Sequence, residues 1–242
     1  MNYFDYSEFA IEIRKDLPAA YAAYWQQLAK PGYWWTGAER VAIALETRNA
    51  LTCLFCAERK QAMTPYGVEG EHDNAGVLPE RVVDAVHRII TDQNRITQAL
   101  VDDNAANGLS KAAYVELVGI AVTVFSIDEI HRAMGLPVEP LPEPVAGEPS
   151  RYMPPTLVSD MGFVPTIPAE GAIANEADLW QLGFAHNVVR ALSWGPDAVR
   201  DWHQVAGAQY LSLPSMQNMV QDENRSINRM PVSYTHLRAH ET

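Results

Sequence analysis

The sequence predicts an all-α fold, and three observations carry that expectation. Segments of helical period recur along the 242 residues, several open on a residue able to cap a helix, and no sustained apolar/polar alternation is bounded by Asn-Gly or Asp-Gly turns. With 48% hydrophobic and 20% charged residues, the chain is long enough to bury a sizeable core as a soluble globular protein.

The elements follow in chain order. In "TGAERVAIALETRNAL", Thr36 and Glu39 form a capping-box pattern ahead of an apolar run containing Val41, Ala44 and Leu45, so a helix starts near residue 37. "LTCLFCAERK" holds both cysteines, Cys53 and Cys56, and Thr52 is placed to cap a new turn there. "LPERVVDAVHRIITD" sets Val82, Val83, Val86, Ile89 and Ile90 at helical spacing, with Pro79 suited to a first turn. "SKAAYVELVGIAVTVFSIDEIHRAMG" has Ser110 as N-cap and Gly135 as stop, and its nearly all-round apolar middle marks a central buried helix. From Leu136 to Pro155 the prolines forbid a helix interior and predict a linker or an extended wrap. "ADLWQLGFAHNVVRALSW" and "PDAVRDWHQVAGAQYLSL" then read as amphipathic helices. The second of these echoes "LPAAYAAYWQQLA" near the N-terminus, pairing Ala20 with Ala198 and Gln26 with Gln204.

Charge and compartment narrow the function classes. A formal net charge of −12 argues against nucleic acid and anionic membrane surfaces, both of which need clustered Lys and Arg. The longest apolar run, Leu117 to Phe125, is too short to span a bilayer, and the first residues have neither a basic nor an apolar leader region. A cytoplasmic location is expected, and in a reducing cytoplasm a cysteine pair is catalytic or metal-binding more often than a structural disulfide.

Two cysteines separated by two residues leave three alternatives open: a redox dithiol, a vestigial pair, or metal binding or plain packing. A zinc site needs two more ligands, and His72 and His87 are too far apart for the H-x₃₋₅-H half of a zinc-finger pattern, so no metal is expected. A thioredoxin-like site needs a preceding strand, and residues 37–51 read as helix. In a helical dithiol Cys53 occupies the first turn and Cys56 the next, with Arg59 and Lys60 three and four residues beyond Cys56. That arrangement favours thiolate and predicts Cys56 titrating below the ordinary value of about 8.5. His72, in the loop "GEHDN", reads as solvated, and His87 as a helix-surface or boundary residue. Tyr33, Trp34 and Trp35 read as packing at a helix entry, and Glu116 is the residue of the long helix to be buried with a purpose.

"ERVAIALETRNALTCLFC", followed by "YVELVGIAVTVFSIDEIHRAMGLPVEPLP", resembles the AhpD-like alkylhydroperoxidase and carboxymuconolactone decarboxylase-like family, in particular its two-unit, peroxidase-related members. The resemblance covers roughly residues 15 to 140 and more faintly about 170 to 230. It implies an AhpD-like helical bundle, and homo-oligomers or intramolecular pairing of the two units. It also implies a thiol peroxidase without a cofactor, in which Cys56 attacks a hydroperoxide, Cys53 resolves the product to a disulfide, and an external dithiol reductant restores the pair. The active members of the family carry a histidine four residues after the second cysteine and a glutamate about twelve before the first. Here those positions hold Lys60 and Val41, so Lys60 enters as the charge that stabilises the thiolate and Glu46 as the replacement carboxylate. The alternative is a catalytically degenerate helical unit serving oligomerisation or small-molecule binding, its activity residing in a missing C-terminal unit.

The expected organisation is a CxxC unit over 1–135, a Pro-rich linker over 136–157 and the start of a truncated second unit over 158–231. Residues 232–242, "VSYTHLRAHET", resemble a translated sequencing adapter and are expected to pack on nothing, so His236 and His240 are set aside despite their i, i+4 spacing. Without its remaining helices, the 170–231 stretch is expected to expose apolar surface.

Overall fold

The computed structural model describes residues 3–7, 9, 13–180 and 185–210. Among these the chain forms eight α-helices: α1 Asp16–Leu28, α2 Gly37–Ala50, α3 Leu54–Gln61, α4 Glu80–Thr91, α5 Gln98–Ala106, α6 Lys111–Ala133, α7 Asn187–Arg190 and α8 Pro196–Gln209. A single antiparallel bridge, Val158 with Thr166, is the only extended pairing among the described residues, and the fold is all-α. No helix among them is long and apolar enough to cross a membrane. Residues 211–231 and the tail with His236 and His240 lie outside the described residues.

Local chemistry sets the helix starts. The Thr36 hydroxyl accepts from the Glu39 N–H while the Glu39 carboxylate accepts from the Thr36 N–H, the complete capping box. Ser110 accepts from the Ala113 N–H at the start of α6, and Gly135 ends the run with φ +71°, a left-handed conformation that glycine adopts without strain. Thr97 caps α5, a helix that the apolar periodicity did not signal.

α6 is the axis of the bundle. Leu117, Ile120, Ala121, Val124 and Ile127 are buried along it, with α2 and α4 packed on one side and α8 on another. Tyr21, Tyr24, Trp25 and Leu28 of α1 complete the main core together with Ile43 and Val86. Fully burying a side chain of this size is worth about 1.5–3 kcal/mol each. Gly119 lets α8 approach closely, since a Cβ there would lie 2.7 Å from the Ala198 Cβ. Val205 of α8 belongs to this same core, and the Gln209 amide donates to the Tyr21 hydroxyl at 3.0 Å, so α8 rests on α1, the helix whose sequence it echoes. A smaller core gathers Ile167, Leu179, Trp180, Val189, Leu192 and Val199.

The proline-rich stretch is a wrap. The Val145 N–H donates to the Ala29 carbonyl at 2.8 Å, those of Ser150 and Arg151 donate to the Gly32 and Tyr33 carbonyls, and the Trp25 indole reaches the Pro140 carbonyl at 2.9 Å. The helix expected over "ADLWQLGFAHNVVRALSW" reduces, among its described residues, to α7, four residues long. Its neighbours bond elsewhere: the Trp180 indole donates to the Pro168 carbonyl, the Ser193 hydroxyl accepts from the Ile167 N–H at 2.7 Å, and Arg190 reaches Asp160 and the Ile167 carbonyl. Among the described residues of 170–210 the exposed large apolar side chains are Ile173, Val188 and Tyr210, and Leu54 and Met63 in the first part of the chain are exposed as well.

Candidate functional site

The cysteines lie where α2 ends and α3 begins. Cys53 itself is the N-cap residue of α3, in place of Thr52, and Cys56 is its third residue. The first N–H of α3, on Leu54, donates to the Asp73 carboxylate at 3.1 Å, an anion placed at the positive end of the helix. That bond draws the 70–76 loop over the helix start. Two more contacts hold the loop: the Ala75 N–H donates to Glu46 Oε2 at 3.1 Å, and Gly70 lies against Phe55, whose ring would be 2.7 Å from a Cβ there. His72 is thereby carried onto the thiols.

Four ligating side chains converge. The two cysteines approach to 3.6 Å. His72 Nδ1 lies 3.7 Å from Cys53 Sγ and 3.4 Å from Cys56 Sγ, and His87 Nδ1 lies 3.1 Å from Cys56 Sγ. Behind each imidazole stands a carboxylate, Glu46 Oε1 at 2.8 Å from His87 Nε2 and Asp84 Oδ1 at 3.0 Å from His72 Nε2. When Nε2–H donates to its carboxylate, Nδ1 presents its lone pair to sulfur. Arg59 donates to the same Asp84 oxygen at 2.7 Å and Arg88 to the other at 2.9 Å.

Burial is nearly complete. Cys53 and Cys56 are 3% and 4% exposed, His87 is 0% exposed, and the His72 side chain is 6% exposed. Burial pushes the Cys56 thiol up to about 12, against the Thr91 hydrogen bond and the Arg59 charge, which favour thiolate. The expectation of a Cys56 value below the ordinary one is therefore corrected: desolvation outweighs the helix N-terminus. Burial likewise lowers the His87 pKa against the raising effect of Glu46, which keeps the ring neutral. Burial also works against the Asp84 carboxylate, yet the bonds from His72 and Arg59 and the charge of Arg88 hold it well below the usual carboxylate range.

The candidates from sequence divide. Glu46 is beside the thiols through His87, whereas Lys60 is exposed, and the cation that reaches the cluster is Arg59. His87 is not a surface residue and His72 is not a solvated loop residue. His87 was findable, since it stands at i+4 from Val83 on the apolar stripe of α4. Nothing in local periodicity signals His72, whose position depends on the loop anchored by Asp73 and Ala75.

Glu116 is buried and paired with Arg40, and its Oε2 accepts from the Trp34 N–H at 2.7 Å. Trp35 is also buried, its indole donating to the Ala113 carbonyl at 2.9 Å, and Tyr33 lines a cavity of about 20 Å³ beside Arg40 and Glu116. Comparison with family models, with curated proteins and with solved structures finds no match to this chain.

Proposed function

We propose that the CxxC segment is a thiol-dependent peroxidase-like site of the AhpD-like type, with Cys56 attacking the hydroperoxide and Cys53 resolving it. The observation that carries this is the line Cys56 Sγ, His87, Glu46, at 3.1 and 2.8 Å, which supplies the acid–base pair absent from the family's usual positions. Neutral His87 takes the Cys56 proton at Nδ1 while Glu46 holds Nε2–H and stabilises the imidazolium. The thiolate attacks the terminal peroxide oxygen, the O–O bond breaks, and the imidazolium returns its proton to the departing alkoxide as an alcohol. Cys56 is left as a sulfenic acid. Cys53, with His72 Nδ1 at 3.7 Å to take its proton, attacks the Cys56 sulfur, water leaves, and a disulfide forms. An external dithiol then reduces the disulfide and is itself oxidised. Burial of both sulfurs restricts the oxidant to a small hydroperoxide. The cytoplasmic setting and a homo-oligomeric state belong to this proposal as its compartment and assembly.

The same burial, and the raised Cys56 value, favour the second reading, a catalytically silent helical unit. Treating the reduced chain with hydrogen peroxide separates the two. The peroxidase predicts a Cys53–Cys56 disulfide in peptide mapping and a dimedone-trappable sulfenic acid at Cys56 in C53S. Thiols that stay free on the folded chain at the rate of an ordinary buried cysteine would leave only the silent unit.

A further inference from the structure

We propose that Cys53, Cys56, His72 and His87 together form a four-ligand site for a soft divalent cation, zinc above all, which binds when both thiols are reduced. The proposal does not depend on peroxidase activity. It rests on the geometry of the donor atoms, one from each residue, which all lie within 4.8 Å of one another. A regular tetrahedron with Zn–S near 2.3 Å and Zn–N near 2.05 Å has edges of about 3.8 Å between sulfurs, about 3.6 Å from sulfur to nitrogen and about 3.3 Å between nitrogens. The corresponding separations are 3.6 Å between the cysteines and 3.1, 3.4 and 3.7 Å from sulfur to nitrogen. The two remaining edges, both running to His87, are no longer than 4.8 Å, so closing the polyhedron needs movement of at most about 1.5 Å at that one corner.

Three further features match a metal centre. Both histidines turn Nδ1 inward and give Nε2 to a carboxylate, Glu46 or Asp84, the outer-shell arrangement that fixes a ligating imidazole. Two sulfurs and two nitrogens at tetrahedral spacing are the donor set for zinc rather than for the hard, oxygen-seeking cations. The ligands are almost wholly buried, as in closed four-coordinate zinc sites. Exchange of two thiol protons for one Zn²⁺ leaves the charge of the cluster unchanged, so metal entry adds no uncompensated buried charge. The spacing rule that argued against zinc applies when both histidines share one helix. Here one comes from the 70–76 loop and the other from α4, and they meet only in the fold.

The metal and the disulfide exclude each other. Two zinc-bound thiolates, one hydroperoxide and two protons give the disulfide, free Zn²⁺, one alcohol and one water, the thiolates losing the two electrons that the peroxide gains. A chain that is both zinc-binding and peroxide-reactive therefore releases its metal on oxidation.

The test is titration of the reduced, chelator-stripped full chain with Co²⁺. The expected result is one equivalent bound per chain, with the intense visible bands of tetrahedral cobalt and a thiolate-to-cobalt charge-transfer band, both removed by Zn²⁺. A weak octahedral spectrum, or the same spectrum from the C53S/C56S double variant, would overturn the proposal. H203Q, altered at a histidine on α8 outside the cluster, is expected to bind as the unaltered chain does. Because the spectrum of the unaltered protein is itself decisive, a variant that fails to fold does not remove the test. A second arm adds hydrogen peroxide to the zinc-loaded chain with a chromophoric chelator present. Tetrahedral cobalt binding without peroxide-driven disulfide formation supports the metal site and sinks the peroxidase, and the reverse pair of results does the opposite.

Discussion

Two of the buried polar clusters among the described residues are built on opposite principles. At the α1–α2 corner, Arg40 pairs with Glu116 and also donates to the Leu28 and Gln27 carbonyls, while Glu116 accepts from the Trp34 N–H. A Cβ at Gly32 would collide with both side chains, so the backbone itself closes over the pair. Each charge is satisfied by groups already present, and the cluster joins α2 to α6. At the α3–α4 junction, two thiols and two imidazoles point at one another, with their outer edges held by Glu46, Asp84 and Arg59. Their shared interior holds only soft donors and lone pairs, which suits a proton or a metal ion. A buried charge pair with complete partners fits a structural role, and convergent donors with partners only on the outside fit the proposed chemistry.

Breaking the first cluster has the largest expected effect on stability. Glu116→Ala leaves Arg40 charged and buried without its partner, and about 3–5 kcal/mol of stability is lost in denaturant titration. A loss under about 1 kcal/mol would show that water reaches the guanidinium and that the contrast between the clusters is smaller than drawn.

At the second cluster, His87→Gln removes the imidazole beside Cys56, the base of the proposed peroxidase. Disulfide formation with hydrogen peroxide slows about 100-fold, measured by quenched-flow alkylation, while far-ultraviolet circular dichroism keeps its helical signal. An unchanged rate would move the proton transfer to His72.

A smaller, pH-dependent effect belongs to Asp201, which lies near Arg40 and Glu116. Burial raises its carboxyl to about 7, against the lowering charge of Arg40. A folded value above the unfolded one means that the native state holds the extra proton. The stability this contributes is fully present below about pH 4 and is lost as pH rises through about 7. Asp201→Asn is therefore expected to be more stable than the unaltered chain at pH 8, by on the order of 2 kcal/mol, with the gain vanishing near pH 4. Equal stability at both pH values would place the carboxylate in contact with water.

The smallest expected effect is at Lys60. Since its side chain is exposed, Lys60→Met is expected to leave the peroxide-driven rate within about twofold, and a larger fall would bring the lysine back to the thiols.

Most of the helical frame was legible because it is set locally. Thr36 with Glu39, Ser110 with Gly135 and the proline-rich stretch each carry their own geometry within a few residues. The described part of 177–194 was not: it is helical only over α7, and the side chains of Trp180, Arg190 and Ser193 bond to groups between Asp160 and Pro168, partners far away in sequence. At the site, Cys53 and Cys56 stood out by their spacing, Glu46 entered only through the family resemblance, and His87 was available on the α4 stripe. Arg59 and Lys60 were indistinguishable in sequence, one residue apart, and packing against α4 is what buries the first and leaves the second in water. His72 depended on the 70–76 loop, and its role emerges only with the long-range bonds that anchor it.

The most direct measurement is mass spectrometry of the intact folded chain before and after exposure to one equivalent of hydrogen peroxide, with peptide mapping of both states. The account predicts a loss of two hydrogens and a single cross-linked peptide joining Cys53 to Cys56. Two free thiols after that exposure, or oxygen retained on Cys56 while Cys53 stays free, would contradict it.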